Sequence, residues 1–317
     1  MSSPELSVVV PVYNEAAVIE ELVRRCKDAA QQVTEAWELI LVDDHSDDAT
    51  PELLAELADG ERVQHLRLPR NVGQFRATRA GLRASRGEHV IVLDGDLQDP
   101  PEEIPRFLDK IKEGYDVVYG IRIKRKASFF KKIFYNLFYE IYSKLSEIDV
   151  PKKAGDFCLM KKKVVKTLNS LGEKNLFMRG LRSWVGFKQT GIEYERDRRY
   201  GGKTKFSFFG ASALALDGIV SFSLIPLRFI LVTGIIMSAL SMIVFLFLFS
   251  VKILSIINFI SDDALWIMPK GLTLTNLILT LFLGLIMFIL GIIGEYVGRI
   301  YFEVKNRPNY VINEIIL

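Results

Sequence analysis

The chain has 317 residues, 50% of them hydrophobic, with 41 lysines and arginines against 38 aspartates and glutamates. That length exceeds one small domain, and a net charge of +3 is too small to indicate a nucleic-acid partner. Two cysteines, Cys26 and Cys158, stand too far apart to suggest a disulfide framework and are expected to remain thiols.

The N-terminal residues, Met1 to Glu5, carry no basic segment, and the apolar run 6–12 that follows is too short for a signal peptide. The first 200 or so residues are therefore expected to stay in the cytoplasm. Through this half, short apolar runs alternate with helical spacing. Segments 6–12, 39–43, 63–68, 89–94 and 116–119 read as strands, and 16–30, 51–57, 74–84 and 102–112 as helices, the last opened by Pro100-Pro101. Strand–helix alternation of this kind predicts right-handed crossovers, a Rossmann-like, mostly parallel sheet in an α/β domain, and a ligand at the carboxyl ends of the strands. The residues there, 11–15, 43–47, 71–73 and 94–99, are largely polar.

The most informative stretch is Val92-Leu93-Asp94-Gly95-Asp96-Leu97-Gln98-Asp99-Pro100-Pro101-Glu102. If the strand continues through it, residues two apart point to one side, so Asp94 and Asp96 aim at one hard cation and Gln98 extends the row. A divalent ion held by so few protein ligands keeps positions open for substrate phosphates, which suggests a nucleotide diphosphate. Asp-Gly-Asp is also ordinary turn chemistry at a strand end.

After Gly120 the pattern changes. Aromatic and aliphatic residues at helical spacing, from Phe129 to Leu145, are flanked by Lys124, Lys126, Lys131 and Lys132. This predicts an amphipathic helix over about 128–146, lying at a membrane surface or packed on the core. A second interfacial candidate, 206–226, leads into two uncharged runs, 229–251 and 272–294, each long enough to cross a bilayer. Basic residues near the outer ends, Arg228, Arg299, Lys305 and Arg307, outnumber Lys252 and Lys270 of the connection. Both termini are therefore expected on the cytoplasmic side of the plasma membrane, with Asp262 and Asp263 outside.

In order along nearly the whole chain lie Pro11-Val12-Tyr13-Asn14-Glu15, Asp43-Asp44-His45-Ser46-Asp47-Asp48, Asn71-Val72-Gly73, Asp94 to Glu102, and Val118-Tyr119-Gly120-Ile121-Arg122. Gly155-Asp156-Phe157, Arg179-Gly180-Leu181, Arg199 to Lys205 and Gly294 to Tyr301 follow. With these the chain resembles the family 2 glycosyltransferases of GT-A fold, and among them the membrane-anchored polyprenyl-phosphate glycosyltransferases. That resemblance implies a cytoplasmic GT-A domain over 1–205, an interfacial helix at 206–226, a two-helix transmembrane hairpin over 227–298 and a cytoplasmic tail, 299–317. It implies inverting transfer of one hexose from a nucleotide diphosphate sugar, UDP-glucose first, to a polyprenyl phosphate, undecaprenyl phosphate first. GDP-mannose with a dolichol-type phosphate is the second choice, and a non-catalytic membrane scaffold with a degenerate nucleotide fold the rival from another class. A homo-oligomer is in keeping with the resemblance.

Pro11, Tyr13 and Glu15 are placed to hold a nucleoside by stacking and ribose hydrogen bonds. Asp43 is placed to accept from a base N–H or, alternatively, to shape the turn before Thr50-Pro51, with Asp44 in support. By the resemblance Asp94 lies near the ribose or metal, and Asp96 and Gln98 complete a Mg²⁺ or Mn²⁺ site beside the diphosphate. Arg122 is placed to meet phosphate. Asp156 faces the reaction centre as base or as orienter of the acceptor, and Arg199 and Lys205 form a cationic loop that closes over phosphate. Two departures stand out: His45 where the family pattern has glycine, and Cys158 where it has arginine.

Overall fold

The structure, a computed structural model, describes residues 3–123, 154–172, 178–196, 272–305 and 314–316, with isolated positions between 230 and 253. The expected helices at 128–146 and 206–226, most of the run 229–251, Asp262, Asp263, Arg199 and Lys205 lie outside the described residues. The chain divides into one unit of Met1–Phe222 with Arg307–Leu317 and another of Ser223–Asn306.

The first unit is built on an eight-stranded sheet. Its strands are β1 (Leu6–Val12), β2 (Trp37–Asp43), β3 (Val63–Arg67), β4 (His89–Val92), β5 (Val117–Ile123), β6 (Ala154–Lys161), β7 (Gln189–Glu195) and β8 (Glu314–Ile316), in the order β7-β5-β6-β4-β1-β2-β3-β8. Every residue of β1 and β2 is buried, as expected of central strands covered on both faces. The expectation of a mostly parallel sheet is met through β3-β2-β1-β4 and between β5 and β7. β6 enters between β4 and β5 antiparallel to both, and β8 runs antiparallel to β3, so the sheet is mixed. The antiparallel pairing of β6 with both its neighbours is one that strand–helix periodicity in the sequence does not encode.

Helices α1 (Ile19–Gln31), α2 (Thr50–Leu57) and α4 (Ile104–Lys112) cover one face of the sheet. α1 does so through Ile19, Leu22, Val23 and Cys26, apolar at helical spacing, and α4 through Ile104, Phe107 and Ile111. On the other face lie α3 (Gln74–Ala84), α5 (Lys162–Ser170) and α6 (Met178–Trp184). α3 comes close enough that a Cβ on Gly81 would lie 2.3 Å from Cγ1 of Val9, so only glycine lets it pack directly on β1. Both cysteines are buried and unbridged.

In the second unit, α7 (Leu272–Val304) contains a stretch, Phe282–Tyr301, with mean hydropathy 1.8, long and apolar enough to cross a membrane. It is the single such helix among the described residues. α7 runs beyond the expected end at 294, through an i,i+4 pair between Glu295 and Arg299 (2.8 Å). The described positions between 230 and 253 are helical, with Val232, Ile236, Ile243 and Leu246 exposed.

Candidate active site

The carboxyl ends of β1, β2 and β4 gather the polar loops at one edge of the sheet. The loop after β1 is laced to that after β2: Asn14 N–H donates to Ser46 Oγ (2.9 Å), Glu15 N–H to Thr50 Oγ1 (2.9 Å), and Asp47 N–H to Asn14 Oδ1 (3.0 Å). Pro11 is buried, while Tyr13 and Glu15 are half-buried on the loop. His45 adopts the left-handed backbone (φ 64°) that its family position calls for, and its Nδ1 lies 3.3 Å from the carbonyl of Leu68. The β2–β3 framework holds this non-glycine residue in that conformation at a cost of roughly 1–2 kcal/mol.

Asp43 has a fully enclosed side chain, accepting from Ser46 N–H (2.9 Å) with Arg67 Nε 3.5 Å from its other oxygen. In this structure it shapes the turn, and Arg67 stands beside the oxygen a base would use. Asp44 accepts from the amides of Val72 (2.7 Å) and Gly73 (2.9 Å), tying down the loop that opens α3, while burial pushes its carboxyl above the usual range.

β4 ends at Val92, so Asp94 and Asp96 stand on a turn and not on a strand. Their convergence comes from turn geometry: Leu97 is left-handed (φ 55°), and Gln98 N–H reaches Asp96 Oδ1 (3.2 Å). The strand-based row Asp94, Asp96, Gln98 is therefore corrected. The glycine between the aspartates has a physical reason, because a Cβ on Gly95 would lie 2.9 Å from the Pro11 carbonyl oxygen.

Asp94 accepts from Gln74 Nε2 (2.6 Å), with Arg122 Nη2 at 3.5 Å. Burial first, then the charges of Asp99 and Asp156, pushes its carboxyl up to about 7. Arg122 faces inward. It donates to Tyr194 Oη (3.0 Å) and to Asp99 Oδ2 (3.3 Å), and Tyr194 donates to Asp99 Oδ1 (2.5 Å). Burial opposes the Arg122 charge, and the anionic neighbours, Asp99 foremost, more than offset it. The Tyr194 ring crosses β5 over Gly120, where a Cβ would meet it at 2.5 Å. Asp99, Tyr194 and Arg196 were not assigned roles by sequence reasoning. Asp99 lay inside the acidic motif, whereas Tyr194 and Arg196 become visible only once β7 pairs with β5 and sets Tyr194 opposite Arg122.

Among the described residues no group of three or more His, Cys, Asp or Glu side chains surrounds a metal position. Asp94 and Asp96 do, however, lie 3.9 and 4.0 Å from one cation, the Arg196 guanidinium. Two hard oxygen donors turned toward one positive charge fit Mg²⁺ or Mn²⁺ that takes its other ligands from phosphate and water.

Asp156, on β6, is held by Arg179 from α6 through Nε (2.9 Å) and Nη2 (3.0 Å). Asp94 and Asp156 both line one cavity, with Gln74, Phe75, Met178 and Arg179 around them. Cys158 and Arg182 lie deeper in it. Arg182 is buried, donates to the Gly155 carbonyl (3.5 Å) and stacks over Tyr119. Cations from α6 thus stand where Cys158 supplies none.

Residues 7–168 match the sequence pattern described as glycosyl transferase family 2. The chain is a family 2 glycosyltransferase. It is similar to the uncharacterized glycosyltransferase YkcC of Bacillus subtilis, with 44% identity over 98% of this chain and 94% of that protein. It is similar also to the SfII prophage-derived bactoprenol glucosyl transferase of Shigella flexneri, with 36% identity over 98% of both chains. Among solved structures, the glycosyltransferase resembles glucosyl-3-phosphoglycerate synthase from Mycobacterium tuberculosis in complex with Mn²⁺ and UDP. That likeness has TM-score 0.45 and 18% identity, covering 69% of this chain and 78% of that one.

Proposed function

We propose that this glycosyltransferase moves one hexose, with inversion, from a nucleotide diphosphate sugar to a polyprenyl phosphate at the cytoplasmic membrane face. The observation that carries the reading is a cavity lined both by Asp94, which shares its acidic turn with Asp96, and by the Asp156–Arg179 pair. UDP-glucose and undecaprenyl phosphate are favoured because several of the chain's relatives are named bactoprenol glucosyl transferases. GDP-mannose with a dolichol-type phosphate is the alternative.

Tyr13 and Glu15 border the nucleoside end, and Asp94 and Asp96 the diphosphate. A divalent ion held by Asp94 and Asp96 would neutralise the diphosphate and the charge growing on the departing nucleotide. Arg122 and Arg196 keep the acidic cluster aligned. Both oxygens of Asp156 are engaged by the Arg179 guanidinium, and a phosphate acceptor, anionic near neutral pH, scarcely needs a proton removed. Asp156 therefore orients Arg179, whose charge attracts the acceptor phosphate, and positioning carries the rate. Arg199 and Lys205 complete the phosphate contacts.

Connectivity supports a two-span membrane topology. β8 belongs to the same sheet as the site, so the chain leaves that sheet after β7 and returns to it after α7. If α7 crosses a bilayer, an odd number of further crossings must lie between 196 and 272. The uncharged run 229–251 supplies one, which supports two spans with both termini on one side, the cytoplasmic side by the bias of basic residues.

The test is transfer of labelled sugar into an organic-extractable lipid by membranes containing the protein. Transfer should require a divalent cation, and Asp96→Ala should abolish both it and cation-dependent nucleotide binding while the protein still inserts. Full activity of Asp96→Ala in EDTA would overturn the assignment.

A further inference from the structure

The two faces of the catalytic sheet differ in charge. Helices α1, α2 and α4 carry both signs, and their cations are largely engaged with carboxylates: Arg24 with Glu21 and Asp28, Arg25 with Glu102, and Lys112 with Asp109. The opposite face is different. From Arg70 to Arg86, through all of α3, there is no carboxylate, and there is none from Lys161 to Ser170, through all of α5. Arg76, Arg79 and Arg83 of α3 and Lys162, Lys163 and Lys166 of α5 thus make one basic surface, closed by Arg79 donating to the Leu171 carbonyl and Lys162 to that of Arg86 (2.9 Å). Both of these partners are carbonyls, which carry no net charge. Two carboxylates reach the rim, Glu38 to Arg86 (2.8 Å) and Asp116 to Lys163 (2.8 Å).

An apolar group stands on the same face. Trp184, the last residue of α6, is 56% exposed, and Ile123 at 37% is the other large hydrophobic exposed among the described residues of this unit. The link to the lysines is direct, since Lys163 lies over the ring of Phe187, three residues beyond Trp184. Cations that attract anionic headgroups beside a tryptophan suited to the boundary of water and hydrocarbon are the elements of an interfacial contact.

We propose that the α3–α5–α6 face is a docking surface for an anionic phospholipid bilayer, with Arg83, Lys163 and Lys166 against lipid phosphates and Trp184 at headgroup depth. The cavity shared by Asp94 and Asp156 is lined by residues of these same three helices, Phe75, Leu168 and Met178. Docking by this face therefore brings the cavity to the bilayer. This purpose rests on the reading that the acceptor is a membrane lipid; the contact itself does not.

The test uses the full-length protein in nanodiscs, with Trp184 fluorescence isolated by subtracting Trp184→Phe. Brominated phospholipid should quench this component in discs rich in phosphatidylglycerol. The quenching should fall by about half or more in phosphatidylcholine discs, at high salt, and in the triple variant Arg83→Gln/Lys163→Gln/Lys166→Gln. Trp184 emission indifferent to brominated lipid would overturn the docking surface, as would quenching independent of lipid charge. Because the measurement needs no sugar transfer, its failure is distinguishable from failure of the acceptor assignment.

Discussion

Removing one oxygen from Tyr194 tests whether the acidic cluster works as a unit. In Tyr194→Phe the ring keeps its edge contact with Phe157 (5.4 Å between centroids), so packing is preserved. What disappears is the hydroxyl that donates to Asp99 at 2.5 Å and accepts from Arg122 Nε at 3.0 Å. Hydrogen bonds to charged groups contribute about 1.5–3 kcal/mol each. Arg122 Nη2 still reaches Asp99 Oδ2 at 3.3 Å, so the pair does not separate, and a loss of about 2 kcal/mol is expected. At roughly 2–4 °C per kcal/mol for a domain of this size, the melting temperature should fall by about 4–8 °C. Arg122 also lies 3.5 Å from Asp94, so its loosened fork should misalign the diphosphate side of the site. A comparable loss in the transition state would lower kcat/KM roughly thirtyfold, at 1.36 kcal/mol per decade. Thermal unfolding in detergent, with initial rates of labelled transfer, reads both effects. Unchanged melting and unchanged kcat/KM would refute the linkage, as would losses in Tyr194→Phe and Asp99→Asn that simply add in the double variant.

Asp44→Ala should release the Val72 and Gly73 amides, cost about 2–3 kcal/mol and raise the donor KM, as denaturant titration and kinetics would register. Asp156→Asn should lower turnover while calorimetry finds donor affinity intact; collapse of donor affinity with turnover preserved at saturation would reverse the role. A cysteine at 262 should be labelled from outside intact cells and one at 48 should not, and the opposite pattern would overturn the two-span topology.

Much of this protein was legible in its residue order. β1 and α3 begin and end where the apolar runs and helical spacing place them, because central parallel strands and one-sided helices leave strong local periodicity. Asp94 and Asp96 were candidates because they directly follow an apolar run, whereas Asp156 was a candidate only through the family resemblance. Periodicity says nothing about which strands pair, so the antiparallel insertion of β6 and the return of β8 to β3 escaped it. A turn at Asp94 was one of two readings that Asp-Gly-Asp allowed, and the left-handed Leu97 that shapes it has no compositional mark. Residues far apart in the chain meet only through that pairing. Register alone sets Tyr194 of β7 beside Arg122 of β5, and Gly120 leaves room for its ring to reach Asp99. Likewise α6 must fold onto β6 before Arg179 can grip Asp156. Local order thus determined the elements and the acidic motif, and tertiary pairing decided which charges neutralise one another, because Coulomb and hydrogen-bond energies depend on distance in space and not along the chain.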